Sequence, residues 1–420
     1  MKPKLITTLK DYNWAIFRSD LFAGITVAMV AMPLSLAIAI ASGADPGTGL
    51  ITAITAGFMV SLLGGSRVQI GGPTGAFIVV VYSVIAEHGY DGLVIAAFMA
   101  GLILLAAGFL KLGNLISFIP EAVIDGFTIG IAVIIATSQI KDLLGLQTEA
   151  LPAEFIGKTE ALWAAKHTIS LAAVGIGIGT MILIMAFRRF APKLPGLIVA
   201  VILTSLVVTV LALPIDTIGS RFGDLPDHLP MPALPEVSMA RLVELLPSAL
   251  IIAFLAGVES LLSAIVADRM SGGHHRPNAE LIAQGAANIT SSMFGGLPAT
   301  GAIARTATNI KAGGKTPIAG IVHALTILAF MLLASQWAGY LALPALAGLL
   351  MLTAWNMSEP HRWKDRLTAP NEDRLLLLLT FVLTVLTDLT IAIGVGASIG
   401  LALRLRRRSV PPADWNEPKR

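Results

Sequence analysis

The stretch FGGLPATGAIARTATNI (294–310) is too short and too rich in Gly and Thr for an ordinary membrane span, yet apolar runs flank it and it carries one arginine, Arg305. An earlier stretch, GGPTGAF (71–77), repeats its opening: Gly-Gly, then Pro and Thr at the start of a short apolar run. Short, Gly/Pro-interrupted segments at matching places in two halves of a chain mark the substrate site of many secondary transporters. The rest of the sequence decides whether these two stretches stand in such halves.

Composition sets the class. The chain has 420 residues, of which 55% are hydrophobic and only 13% charged, with a mean hydropathy of +0.80. A soluble domain carries about 25% charged residues. The deficit, with many apolar runs of roughly 18–22 residues, indicates a polytopic membrane protein. A net charge of +3 gives no reason to invoke nucleic acid, since Lys and Arg cluster in the loops as the positive-inside rule expects. The chain has no Cys, which excludes disulfides and thiolate metal sites. Its first twenty residues, MKPKLITTLKDYNWAIFRSD, are basic and amphipathic without an apolar core or small-residue cleavage site, so they predict a cytoplasmic lead-in rather than a signal peptide.

Apolar runs and their breakers predict seven segments in the first half, at 22–42, 50–63, 74–87, 92–111, 121–141, 169–187 and 195–213. A polar, Pro-rich external loop follows, and then seven more segments at 248–268, 279–293, 300–311, 317–335, 339–356, 373–387 and 389–405. With a cytoplasmic N-terminus, loops after even-numbered segments are cytoplasmic. Those loops hold Arg67, Lys111, FRRFAPK (187–193), DRMSGGHHR (268–276), IKAGGK (310–315) and HRWKDR (361–366), and RLRRR (404–408) follows the last segment. The expected organisation is a lead-in (1–21), a first repeat (22–213), an external loop (214–247), a second repeat (248–405) and a cytoplasmic tail (406–420). Two halves of seven spans insert with opposite orientations, which makes an all-α protein of 14 transmembrane segments in 7+7 inverted repeats.

A half-helix that begins inside the bilayer leaves its first N–H groups without intrahelical partners, and its peptide dipoles add partial positive charge there. Two such starts facing one another make a pocket that prefers an anion. The candidate substrate residues are therefore Thr74, Gly75 and Ala76 on segment three, and Thr300, Gly301, Ala302 and Ile303 on segment ten. Thr74 and Thr300 offer hydroxyl donors, and Pro73 and Pro298 suit positions at or before a helix start. Arg305 lies just over one turn into segment ten. An arginine near the midplane costs at least ~2.5–3.5 kcal/mol, so it faces protein or water. Two readings stand: a fixed cation that attracts the anion, or a structural arginine paired elsewhere in the bundle.

Glu259 is the other intramembrane charge, near the middle of segment eight, with Ser263 one turn away on the same face. Three roles stay open for Glu259: a proton carrier, a sodium ligand together with Ser263 and backbone carbonyls, or the permanent partner of Arg305. Glu121 and Asp125 follow Pro120 and read as acids at a helix start, and Asp388 as interfacial. His274 and His275 are adjacent on a loop without metal-site spacing and read as a solvated turn. No cofactor is expected beyond Na+ or H+ as a coupling ion, and no nucleophile–base arrangement suggests an enzyme.

Six stretches together resemble the SulP (sulfate permease) family of anion transporters, the group that includes prestin. They are DLFAGITVAMVAMPLSLAIAIASG (20–43), GGSRVQIGGPTGAF (64–77), FIPEAVIDGFTIGIAV (118–133), GVESLLSAIVAD (257–268), ELIAQGAANITSSMFGGLPATGAIARTATNIKAGGKTPIAGI (280–321) and DLTIAIGVGASIGLAL (388–403). The resemblance implies the uracil-permease-like fold, a core domain (segments 1–4 and 8–11) that moves against a gate domain (5–7 and 12–14), and a homodimer. It implies sulfate, bicarbonate, chloride or dicarboxylate as substrate, carried by symport or exchange. In sodium-coupled bicarbonate members, Thr74, Glu259, Ser263 and the backbone of Gly301, Ala302 and Ile303 match the site, and Arg305 matches a basic residue of many animal relatives. Two departures are visible. The acid here is Glu rather than Asp, which keeps proton coupling open, and the expected tail carries no STAS domain. The resulting expectation is a transporter of a small inorganic anion, sulfate or bicarbonate first, in the inner (plasma) membrane. The alternatives are an uncoupled exchanger or channel, a C4-dicarboxylate transporter, and a nucleobase permease of the same fold. Arg305 argues against the last, because such permeases read their substrates with paired carboxylates.

Overall fold

The computed structural model describes residues 2–114, 121–148, 151–192 and 194–387, with isolated positions at 395, 398 and 399. Apart from those three positions, the expected fourteenth segment lies outside the described residues, as do Asp388 and the tail. Seven of the described helices are long and apolar enough to cross a membrane by themselves.

Segment one is Trp14–Ala41, started by the Asn13 side chain, which accepts from Ile16 N at 3.0 Å. It therefore takes in the end of the expected lead-in. Segment two, Pro46–Leu63, has Pro46 in its first turn and Asp45 as its cap, accepting from Gly47 N at 2.8 Å. The chain then runs extended to Gly71–Gly72 and makes a single 3-10 turn at Gly75–Phe77. Segments three and four follow in one helical stretch, Ile78–Phe109, whose backbone leaves helical geometry at Gly89. Segment five is Glu121–Leu144, six Leu171–Phe190 and seven Gly196–Val210. Segment eight, Met239–Ser271, begins at Met239 rather than at 248, with Pro247 accommodated inside it. Segments nine (Pro277–Met293), ten (Ile303–Lys311), eleven (Ile318–Ala338), twelve (Leu343–Met357) and thirteen (Asn371–Leu386) complete the described spans. A helix at Phe155–Ala164, between segments five and six, had no apolar period to announce it.

Packing sorts the segments into two groups. Segments eight and nine pack on the stretch that holds three and four, nine and eleven on two, eleven on one, and ten on eight and one. Segments twelve and thirteen pack on five, twelve on six, and six on seven. Segment one also reaches across to seven and twelve. Fully buried alanines on segment one, Ala23, Ala28 and Ala31, let helices approach closely where there is no water to drive association. Glu121 and Asp125 do more than favour a helix start. Asp125 accepts from Arg366 Nε and Nη2 at 3.0 and 2.8 Å, and Glu121 pairs with Arg362. These bonds tie segment five to the connection after segment twelve.

Candidate substrate site

The two interrupted stretches meet. Gly71–Gly72 and Thr300–Gly301 pair antiparallel, with Gly71 opposite Gly301 and Gly72 opposite Thr300. This two-stranded ladder sits where the helices of segments three and ten begin, so the starts of both helices are set side by side. Extended backbone at this depth is tolerated only when its polar groups are met. Pairing satisfies part of that demand, and Ala302 N donates to Ile70 O at 2.8 Å.

Side chains clamp both approaches. Before segment ten, Asn288 donates to Ala299 O and accepts from Ala299 N, each at 2.9 Å. Thr52 Oγ1 accepts from Leu297 N at 2.6 Å, and Ser291 Oγ donates to Leu297 O at 2.7 Å. Before segment three, Asn309 Nδ2 donates to Val68 O at 2.8 Å, and Thr306 Oγ1 accepts from Ile70 N at 3.0 Å. Gln69 Nε2 donates to Ser260 Oγ at 2.8 Å. Ser260 Oγ in turn donates to the fully buried Glu280, whose other oxygen accepts from Gly65 N at 2.9 Å. The crossing needs glycine at two places. Gly72 has φ +148, and a Cβ there would overlap Arg305 Nη1; a Cβ at Gly301 would overlap the Gln69 amide.

Thr74 is partly exposed, and its hydroxyl donates to Glu259 Oε2 at 2.9 Å. The carboxylate of segment eight thus stands against the start of segment three. Gly75 and Ala76 are buried in the first turn that follows. Thr300 is also buried, and its hydroxyl donates to Ala256 O at 2.9 Å. Ile303 and Ala304 open segment ten and are exposed, and Thr74 and Glu259 are partly exposed. Ser263, fully buried, sits 3.3 Å from Thr306 Oγ1, one turn from Glu259 but facing a different neighbour.

Arg305 is 1% exposed and does not pair with Glu259. Its Nη2 donates to Pro73 O at 2.9 Å and to Ser35 Oγ at 3.2 Å, while Nε and Nη1 meet no acceptor among the described residues. The guanidinium therefore lies behind the ladder, under Gly72, and bridges segments ten, three and one.

The residues that brace the site were overlooked in the sequence, although a signal was there. Glu280, Gln284 and Asn288 recur at four-residue spacing, a polar stripe along one face of an otherwise apolar segment nine. Thr306 and Ser260 carry no such period. His275 is not simply a solvated turn, because its Nδ1 lies 2.7 Å from Asp268 Oδ2.

Comparison with known proteins gives one consistent result. The description "Sulfate permease family" matches residues 17–380. The protein YvdB of Bacillus subtilis (strain 168), a sulfate transporter by name, is 44% identical over 402 residues, spanning 95% of this chain and 76% of that protein. The bicarbonate transporter BicA of Picosynechococcus sp. is 31% identical over 403 residues, spanning 93% of this chain and 71% of BicA. The solved transmembrane domain of a cyanobacterial BicA superposes with a TM-score of 0.81 at 32% identity, covering 91% of this chain and 99% of that one. The shared fold is the 7+7 inverted repeat, and the ladder pairs one strand from each half. With 17–380 matched and the helical architecture shared, the chain belongs to the sulfate permease family, whose members are transporters and not enzymes.

Proposed function

We propose that the chain carries sulfate or bicarbonate across the membrane, seating the anion between the starts of segments three and ten and coupling its movement to a cation through Glu259. The observation that carries this reading is the antiparallel pairing of Gly71–Gly72 with Thr300–Gly301, which sets both helix starts at one place. N–H groups of Gly75 and Ala76 on one side and Ile303 and Ala304 on the other are the donors. Hydrogen bonds to a charged group contribute about 1.5–3 kcal/mol each, so a few of them offset much of the anion's desolvation. Arg305 adds positive potential without touching the ligand. The names of YvdB and BicA support the choice of anions.

Glu259 is the coupling residue in this reading. A carboxylate that faces the pocket accepts a proton or a sodium ion as the anion enters, which holds the charge of the loaded site near neutral. Thr74 already donates to Glu259 and Ser263 lies one turn along the same segment, so these are the hydroxyls assigned to a sodium ion. The packing groups supply the movement: segments 1–4 and 8–11 act as a core that carries the site past segments 5–7 and 12–14, in an elevator-like step. Both termini face the cytoplasm, as the distribution of Lys and Arg among the loops supports. The protein works as a homodimer in the inner (plasma) membrane.

Uptake of labelled sulfate and bicarbonate into proteoliposomes, under imposed sodium or proton gradients, tests the proposal. Accumulation above equilibrium under one of those gradients is the expected result. Transport that ignores both gradients would leave uncoupled exchange, and transport of neither anion would remove the substrate assignment.

A further inference from the structure

A second cation is buried between the two packing groups, away from the paired helix starts. Lys158 lies on the helix Phe155–Ala164 and is only 3% exposed. That helix packs on segments five and thirteen. Among the described residues the ammonium meets a hydroxyl and an aromatic face rather than a carboxylate: it donates to Ser138 Oγ at 3.1 Å and stands 4.8 Å from the centre of the Tyr82 ring. A hydroxyl acceptor and an aromatic face compensate a buried ammonium less than an opposite charge would. Taking an ion out of water is costly, so these partners leave the charge under-compensated. Burial accordingly pushes the Lys158 pKa below the usual lysine range.

The position of this cation matters as much as its isolation. Ser138 belongs to segment five, in one packing group, and Tyr82 to segment three, in the other. The Tyr82 hydroxyl also donates to Leu151 O, at 2.5 Å, in the same connection that carries Lys158. A cavity of about 10 Å³, at the lower limit of the room one water needs, lies here. Ile78, Tyr82, Ile134, Ser138 and Lys158 are among the residues lining it. Ile78 is the first residue of the helix that follows the Gly75–Phe77 turn. At 1.5 Å per residue, Tyr82 stands roughly 10 Å along that helix from Gly75. The lysine thus sits on the seam between the groups, two turns out from the helix start toward the loop side.

We propose that Lys158 is an outer station for the transported oxyanion, closed in this conformation by its contacts with Tyr82 and Ser138. When the core group shifts, Tyr82 leaves the ammonium, the narrow cavity widens, and Lys158 receives a small oxyanion from the outer solution. The anion then supplies the compensation that the resting contacts lack. A lysine suits this task better than an arginine in a permanent ion pair, because its present partners are weak and are divided between bodies that separate.

The inference rests on the transport reading above, and its test separates the two. Initial rates of labelled sulfate and bicarbonate transport are measured in right-side-out and inside-out membrane vesicles, for the wild type, Lys158→Gln and Lys158→Arg. The expected result is an outer-side KM raised about tenfold in Lys158→Gln, an affinity loss worth 1.4 kcal/mol. The inner-side KM stays unchanged, and Lys158→Arg restores the outer-side value. Equal KM changes on both sides, or none, would overturn the station and leave a static plug. If Lys158→Gln does not fold, Lys158→Met carries the comparison, and failure of both neutral variants to fold would make the residue structural. Absence of transport by the wild type would instead overturn the transport reading.

Discussion

Segments three and ten are broken at matching positions and joined through one ladder, yet they are furnished differently. The backbone is nearly symmetric: Gly71–Gly72 faces Thr300–Gly301, and each approach is clamped by amide and hydroxyl side chains from neighbouring segments. The charges are not symmetric. Both come from the second repeat and both reach across to the first, Glu259 to the hydroxyl of Thr74 and Arg305 to the carbonyl of Pro73. The hydroxyls divide in the same way. Thr74 faces Glu259 at the accessible side of the site, while Thr300 is turned into the bundle against Ala256 O. In the proposed function, the near-symmetric backbone serves as a neutral anion cradle, and the departures from symmetry serve as coupling and field.

Removing the carboxylate attacks the asymmetry where the effect is largest. Glu259→Gln is expected to reduce gradient-driven accumulation at least about 100-fold, equivalent to losing a charge-assisted interaction of about 3 kcal/mol. Accumulation by this variant at wild-type levels would place coupling elsewhere. Gly72→Ala strikes the shared geometry instead. The new Cβ meets Arg305 Nη1 at a φ of +148, so a stability loss of about 2–3 kcal/mol is expected in thermal or denaturant unfolding. A variant as stable as the wild type would show that the ladder tolerates side chains.

Arg305→Ala should weaken anion affinity about tenfold, or about 1.4 kcal/mol, and do so more than it lowers stability. Titration of the anion against the purified variant, beside its unfolding curve, checks this; unchanged affinity would make the arginine structural. The smallest effects separate the two threonines. Thr74→Val should lower transport a few-fold with little change in stability, because its hydroxyl faces the carboxylate. Thr300→Val should lower stability by about 1 kcal/mol, because Ala256 O loses its donor, and should leave the anion KM unchanged. The opposite pattern would exchange the roles of the two residues.

Much of the fold was legible because membrane insertion writes it in composition. Apolar runs marked the spans, and the paired GGPTGAF and GGLPATGAI stretches marked the crossing, since Gly and Pro are what an interrupted helix at that depth requires. Segment eight was read as starting late, because Pro247 looks like a breaker when the packing around it is unknown. The helix Phe155–Ala164 stayed hidden because it is too short and too polar to show a period. At the site, residue types were legible and their partners were not. Thr74 and Thr300 look equivalent in sequence, and only the positions of Glu259 and Ala256 O decide which hydroxyl faces the site. Arg305 could be seen to need a protein surrounding, but its place behind the ladder depends on Pro73 and Ser35, far away in the chain.

The central claim, that the anion sits between the two helix starts, is tested most directly by locating one. Selenate, a heavier analogue of sulfate, can be placed by anomalous diffraction from crystals of the protein. The account predicts a selenium peak between Gly75–Ala76 and Ile303–Ala304, within hydrogen-bonding reach of backbone N–H groups on both segments and without direct contact to Arg305. A single peak elsewhere in the bundle, or one held by Arg305 alone, would contradict it.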